Sequence, residues 1–137
     1  MLSSTQGLFA ESIFITECIS KNIEICQPIN DVFGYDFVVV RGSESIKVQV
    51  KSCSVADNRY KTSTTYKIQC RRGAKCKAYE AGSFDYLAAY IIPLDIWYII
   101  GISELNKTTI RVNPDSLGCK FNKYKSDFKA LMPLIHK

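Results

Sequence analysis

Three side chains near the middle of this chain, Asp36, Gln49 and Lys51, bring a carboxylate, an amide carbonyl and an ammonium into one short stretch. Residues 34–51 hold two β-branched runs on either side of a brief polar segment containing Gly42, which reads as an antiparallel hairpin. If Arg41 pairs with Ile46, Asp36 lies across from Lys51 and Val38 across from Gln49; a turn two residues tighter puts Asp36 opposite Gln49. A slip of one residue would mix the faces and is disfavoured. Both allowed registers gather Asp36, Gln49 and Lys51 on one side and Phe37, Val39, Val48 and Val50 on the other. Cross-strand neighbours stand about 5 Å apart at Cβ and diagonal ones about 7 to 8 Å, close enough to converge on one small ion. The same pattern also describes an edge hairpin with a solvated polar face.

Positioning such a site requires a surrounding frame. Residues 5–20 lack proline and carry only Gly7, near the start, so they read as a helix. Wound at about 100° per residue, this helix gathers Leu8, Ala10, Phe14, Ile15, Cys18 and Ile19 on one broad arc. Glu11 falls inside that arc and Glu17 outside it. An ionised carboxylate on a core face costs several kcal/mol unless it is paired or coordinates a metal. Glu11 therefore either pairs with a base at the core edge or faces the same ion as Asp36. Further on, residues 86–100 carry a surplus of apolar and aromatic side chains. Phe121, Tyr124, Phe128 and Leu131 recur at helical spacing up to Pro133, with lysines interspersed. They suit a terminal helix that packs on its own core or forms an interface.

Charge is unevenly spread. The net charge is +5, yet residues 1–35 carry four acids against Lys21 alone. Residues 51–77 carry eight bases against one acid, Asp57, a surplus that suits a polyanion. Within that stretch Arg59, Lys61, Ser63, Thr65, Lys67, Gln69 and Arg71 take the odd positions, while Tyr60, Thr62, Thr64, Tyr66, Ile68 and Cys70 take the even ones. Period two means strand, with the even face on the body and the odd face polar and basic. With Arg72, Lys75 and Lys77 it would make a ribbon able to enter a DNA major groove, or simply a solubilising surface.

Composition excludes several alternatives. One domain accommodates all 137 residues, and 47% hydrophobic with 23% charged residues is ordinary for a globular chain. No apolar run reaches the roughly 20 residues of a membrane span, and the N-terminus lacks the pattern of a secretory signal, so a cytoplasmic protein is expected. The six cysteines include no Cys-x-x-Cys pair, and the single histidine is His136. Reduced core thiols are expected, and structural zinc or a histidine-activated nucleophile is not. No Gly-rich phosphate loop follows any of the expected strands.

A helix glutamate, then a strand aspartate, then a hairpin strand ending in x-x-Lys is an order that resembles the PD-(D/E)XK nucleases. Within that superfamily the chain is most similar to the bacterial homing endonuclease type encoded in group I introns and built on a restriction-enzyme-like core. The resemblance implies an α/β fold, with a central mixed sheet flanked by helices and an added β-ribbon at residues 53–77, all in a single nuclease domain over residues 1–137. It carries the catalytic roles to Glu11, Asp36, Gln49 and Lys51. Metal binding falls to Glu11, Asp36, Gln49 and the main chain of Val50. Gln49 departs from the usual Asp or Glu; it offers one carbonyl oxygen but no charge.

The implied chemistry is metal-dependent hydrolysis of a DNA phosphodiester, with Mg²⁺ held beside the scissile phosphate, Mn²⁺ as a substitute, and Lys51 orienting or deprotonating the attacking water. Cutting both strands of a duplex calls for symmetric copies of the site, and the resemblance favours a homo-tetramer over a dimer. The interface would use residues 86–100 or the C-terminal segment. A resolvase selective for branched DNA and a non-catalytic nucleic-acid-binding protein are the competing readings.

Overall fold

The computed structural model of the chain describes residues 1–30, 32–57, 64–72, 77–78, 83–105 and 109–133, with the backbone alone at 71–72 and 77–78. At its centre lies a five-stranded sheet in the order β1-β2-β3-β7-β8, formed by β1 (Glu24–Cys26), β2 (Phe37–Arg41), β3 (Glu44–Cys53), β7 (Tyr86–Ile91) and β8 (Ile96–Gly101). Two smaller sheets pair β4 (Tyr66–Gln69) with β9 (Thr109–Val112) and β5 (Arg71–Arg72) with β6 (Lys77–Ala78). The central sheet is mixed, because β3 and β7 run parallel while every other neighbouring pair is antiparallel.

The β2–β3 hairpin takes the tighter of the two possible registers, with Phe37 paired to Val48 and Arg41 to Glu44. Its loop is Gly42-Ser43, and Gly42 has φ +61°. A two-residue hairpin loop needs positive φ at its first central position to match the strand twist, and glycine supplies it without strain. Arg41 Nη2 donates to Glu44 Oε2 across the loop at 2.6 Å, and its Nη1 reaches the Ala130 carbonyl at 2.7 Å. Pairing through Arg41 and Ile46 would have forgone both the short loop and that clamp.

Both faces of the sheet are buried. On one, Phe37, Val39, Val48 and Val50 meet Ala10, Phe14 and Cys18 of α1 (Ser3–Ser20). Phe14 is fully enclosed, with its ring centroid 5.1 Å from Phe37, 5.6 Å from Trp97 and 6.3 Å from Phe128. On the other face, Leu87, Ala89, Tyr98 and Ile100 pack against Tyr66, Ile68, Ile110 and Val112 of the β4–β9 pair. The even positions 66, 68 and 70 point inward and 67 and 69 outward, as the period-two pattern requires.

Two expectations are corrected. Leu8 and Ile19 lie in solvent, at 64% and 67% exposure, because the helix touches the sheet along the narrower stripe Ala10, Phe14 and Cys18 with Phe9 and Ile13 beside it. The C-terminal segment is two 3-10 turns, Asn122–Tyr124 and Phe128–Leu131, rather than one helix. Between them Lys125 bridges to Tyr98, Ser126 N donates to the Trp97 carbonyl at 2.7 Å, and Ser126 has φ +57°. Pairing with β8 therefore pulls the backbone out of helical geometry, while Phe121, Phe128 and Leu131 bury against the chain's own core. Residues 87–91 and 97–100 are likewise buried inside the subunit, which leaves them unavailable as an interface.

Of the cysteines, Cys18, Cys53 and Cys70 are buried and reduced, as core fillers should be. Burial pushes the Cys18 thiol up from 9.0 to about 12 and the Cys70 thiol to about 11. Burial likewise raises the phenols of Tyr90 and Tyr98 from 10.0 to about 12, Tyr90 with help from its 2.6 Å hydrogen bond to Asp95 Oδ1. Among the described residues no helix is long and apolar enough to cross a membrane.

Two outcomes follow from this packing. Phe14→Ala should cost about 3 to 5 kcal/mol in urea unfolding, since a ring enclosed by three others cannot be replaced by collapse. The four raised groups hold their protons more tightly folded than unfolded, so their contribution is complete below pH 9 and is lost as pH rises toward about 12. The melting temperature should fall across that alkaline window, and Tyr90→Phe should flatten the fall.

Candidate active site

Asp36 stands one residue before β2, and β2 ends there. Its N–H donates to the Val48 carbonyl at 2.9 Å, which continues the hairpin for one more step. Among the described residues no further strand pairs with β3 beyond that point on its β2 side, and the Asp36 carboxylate fills the gap. Its Oδ2 accepts from the main-chain N–H of Val50 and from Gln49 Nε2, both at 2.8 Å. The loop leading into Asp36 is held by close backbone approach: a Cβ on Gly34 would stand 3.1 Å from that of Ser83. The parallel strand is tied in the same region by Asp85, whose Oδ2 accepts from Lys47 N at 2.8 Å.

In a strand, the N–H and C=O of one residue point to the same side. The Val50 N–H is directed at Asp36, so its carbonyl also faces the side where β2 has run out, and Gln49 Nε2 lies 3.4 Å from it. Glu11, half-buried on α1, lines one cleft with Asp36, Tyr35 and residues 27–30. Two carboxylates and a main-chain carbonyl, joined by the Gln49 oxygen if its carboxamide turns over, would make an all-oxygen donor set, which fits a hard divalent cation and not zinc or copper. The set is sparse. Among the described residues no group of three or more His, Cys, Asp and Glu gathers to hold a metal, because the third position is the neutral Gln49.

Lys51 sits two residues past Gln49 on the same face of β3, half-buried. It lines a second hollow of about 320 Å³ with Gln6, Ser52, Ser54, Lys67 and Gln69. The structure thus brings Asp36, Gln49 and Val50 into direct contact, sets Glu11 across the cleft from them, and places Lys51 at the junction with the basic strand.

The expected DNA-contacting residues are resolved in part. Lys67 and Gln69 are exposed on β4, and Thr65 is half-buried, bridging to Asp57. β4 pairs with β9, far along the chain. Arg71, Arg72 and Lys77 are placed by backbone only, on β5 and β6, and Arg59, Lys61, Ser63 and Lys75 lie outside the described residues. Sequence reasoning passed over Gln6, which donates from Nε2 to Ser52 Oγ at 3.0 Å. It also passed over Asp85, although its place just before an apolar strand mirrors that of Asp36 and could have marked it.

Comparison with known proteins follows the geometry. A bacterial homing endonuclease, I-Ssp6803I, has a similar structure, with a TM-score of 0.79 at 20% identity over 95% of this chain and 93% of that one. At that identity the likeness speaks for the fold alone. No curated protein sequence matches significantly. The sequence profile of the PD-(D/E)XK endonucleases matches residues 1–131, and the chain belongs to that family.

Proposed function

We propose that this endonuclease cuts double-stranded DNA at a defined sequence with the help of Mg²⁺, acts as a symmetric homo-oligomer, tetramer before dimer, and serves in intron homing from a bacterial cytoplasm. The observation that carries the reading is the hydrogen-bonded cluster of Asp36, Gln49 and Val50, facing Glu11 on one side and followed by Lys51 on the other. The solved structure it resembles is that of a homing endonuclease, which favours a defined target over branched DNA.

Asp36, Glu11, the Gln49 side-chain oxygen and the Val50 carbonyl would hold the cation. Bound there, it supplies electrostatic stabilisation of the phosphate and acidifies a nearby water. Asp36 organises the site, since its Oδ2 ties the Val50 N–H and the Gln49 carboxamide of β3 to one carboxylate. Gln49 presents its amino group to Asp36, and a half-turn of the carboxamide exchanges that group for the carbonyl oxygen. Lys51, at the far side of the cluster, is placed to orient or deprotonate the attacking water and to offset charge that develops on the phosphate. Lys67 and Gln69 extend the surface along which the backbone of the DNA would lie.

Lys51→Ala and Asp36→Asn should each abolish cleavage of a randomised duplex library in Mg²⁺ while duplex binding persists, as read by sequencing of the ends and by gel shift. Cleavage confined to four-way junctions would instead favour a resolvase. Gln49→Glu should lower the metal-free melting temperature by several degrees, because a carboxylate replaces a donor 2.8 Å from Asp36 Oδ2. It should also enlarge the rise in melting temperature on adding Mg²⁺. If Mg²⁺ shifts neither protein, the cluster is not a metal site.

A further inference from the structure

The hollow beside Lys51 has a chemical character of its own. Its lining comes from three separate elements: Gln6 from α1, Lys51, Ser52 and Ser54 from β3 and the residue after it, and Lys67 and Gln69 from β4. Two ammonium groups, two carboxamides and two hydroxyls converge there beside the Cys53 thiol, and among the described residues no acid lines it. Lys67 is exposed, and among the described residues it takes part in no ion pair, whereas Arg111, its cross-strand neighbour, is engaged with Asp57 at 3.4 Å. Such a donor-rich, acid-free concavity is complementary to an oxyanion.

One hydrogen bond gives the hollow a direction. Gln6 Nε2 donates to Ser52 Oγ at 3.0 Å, so the serine oxygen is acceptor in that contact and keeps its own proton to donate elsewhere. Ser52 is also next to Lys51, two positions beyond Val50, so an anion in the hollow lies alongside the cation cluster and not within it. Each DNA strand carries one phosphate per roughly 3.4 Å of duplex axis. A strand whose scissile phosphate rests at Asp36 would carry its next phosphates along β3 toward Ser52, where the hollow opens.

We propose that this hollow is a phosphate-binding subsite that grips the DNA backbone beside the scissile phosphate, with Lys67 and Ser52 donating to the phosphate oxygens and Gln6 positioning the Ser52 hydroxyl. The inference rests on the nuclease reading for its ligand, and on Gln6, Ser52 and Lys67 for its geometry. Lys67 supplies charge, so its share of binding is sensitive to salt. The share of the Gln6–Ser52 pair is a neutral hydrogen bond and is not.

The test is anisotropy of the full chain with a fluorescein-labelled random-sequence duplex, without divalent metal, over a series of KCl concentrations. Lys67→Met should weaken binding about tenfold at low salt and reduce the slope of log Kd against log salt by about one. Ser52→Ala should weaken it about threefold to tenfold with the slope unchanged. Gln6→Leu should match Ser52→Ala and add nothing to it in the double variant, because the two act as one unit. Unaltered melting temperatures would separate these losses from misfolding. An unchanged slope in Lys67→Met, or full additivity of the Gln6 and Ser52 losses, would overturn the subsite. A wild-type chain that shows this pattern but cuts no DNA in Mg²⁺ would overturn the nuclease reading and leave the subsite standing. A chain that binds no duplex would overturn both.

Discussion

Where β2 runs out, one carboxylate oxygen takes over from a strand. Asp36 Oδ2 accepts the Val50 N–H that would otherwise have met a main-chain carbonyl, and the same oxygen draws in the amide of Gln49. A buried N–H left without an acceptor costs about 1 to 3 kcal/mol, so this contact is structural before it is catalytic. It also fixes what happens beside it. With the Val50 N–H committed to Asp36, the Val50 carbonyl must face the same gap, and the cluster of Asp36, Gln49 and Val50 assembles as a by-product of ending the hairpin.

That arrangement has a limit built into it. Among the described residues two carboxylates, Asp36 and Glu11, line the cleft from separate elements, and Gln49 beside them is neutral. A neutral Gln49 beside Asp36 avoids the repulsion that a further carboxylate would add, so this position leaves the task of holding the centre together to other contacts. The aromatic packing around Phe14 and the clamp of Arg41 on Glu44 and Ala130 do that instead.

Much of this was legible in the sequence, because the site lies on neighbouring strands whose alternation is strict. The β-branched runs flanking Gly42 located the hairpin, and the choice between its two registers fell to the φ of a single glycine. Glu11 was found by its conflict with an apolar arc. What escaped was non-local: the pairing of β4 with β9 joins residues 40 to 46 positions apart, and nothing in either segment names the other. The terminal segment misled for a related reason. Its helical spacing is real, but the edge of β8 offered the backbone of Lys125 and Ser126 a better set of hydrogen bonds than a helix would. Gln6 was invisible because a lone polar residue in the first turns of a helix carries no pattern.

The parallel pairing of β3 with β7 has a consequence for how such a protein can change. The chain leaves the sheet at Cys53 and returns at Tyr86 on the adjacent strand, so the intervening basic segment is a closed excursion with both ends fixed in the core. Closing a longer excursion costs only about 0.6 kcal/mol for each doubling of its length. Apart from the buried Tyr66, Ile68, Cys70 and Phe84, which cover one face of the sheet, residues between those two anchors can therefore change while the spacing of Asp36, Gln49 and Lys51 stays untouched. Selection on what the protein recognises and selection on what it does to the bound molecule can then proceed on separate parts of one continuous chain.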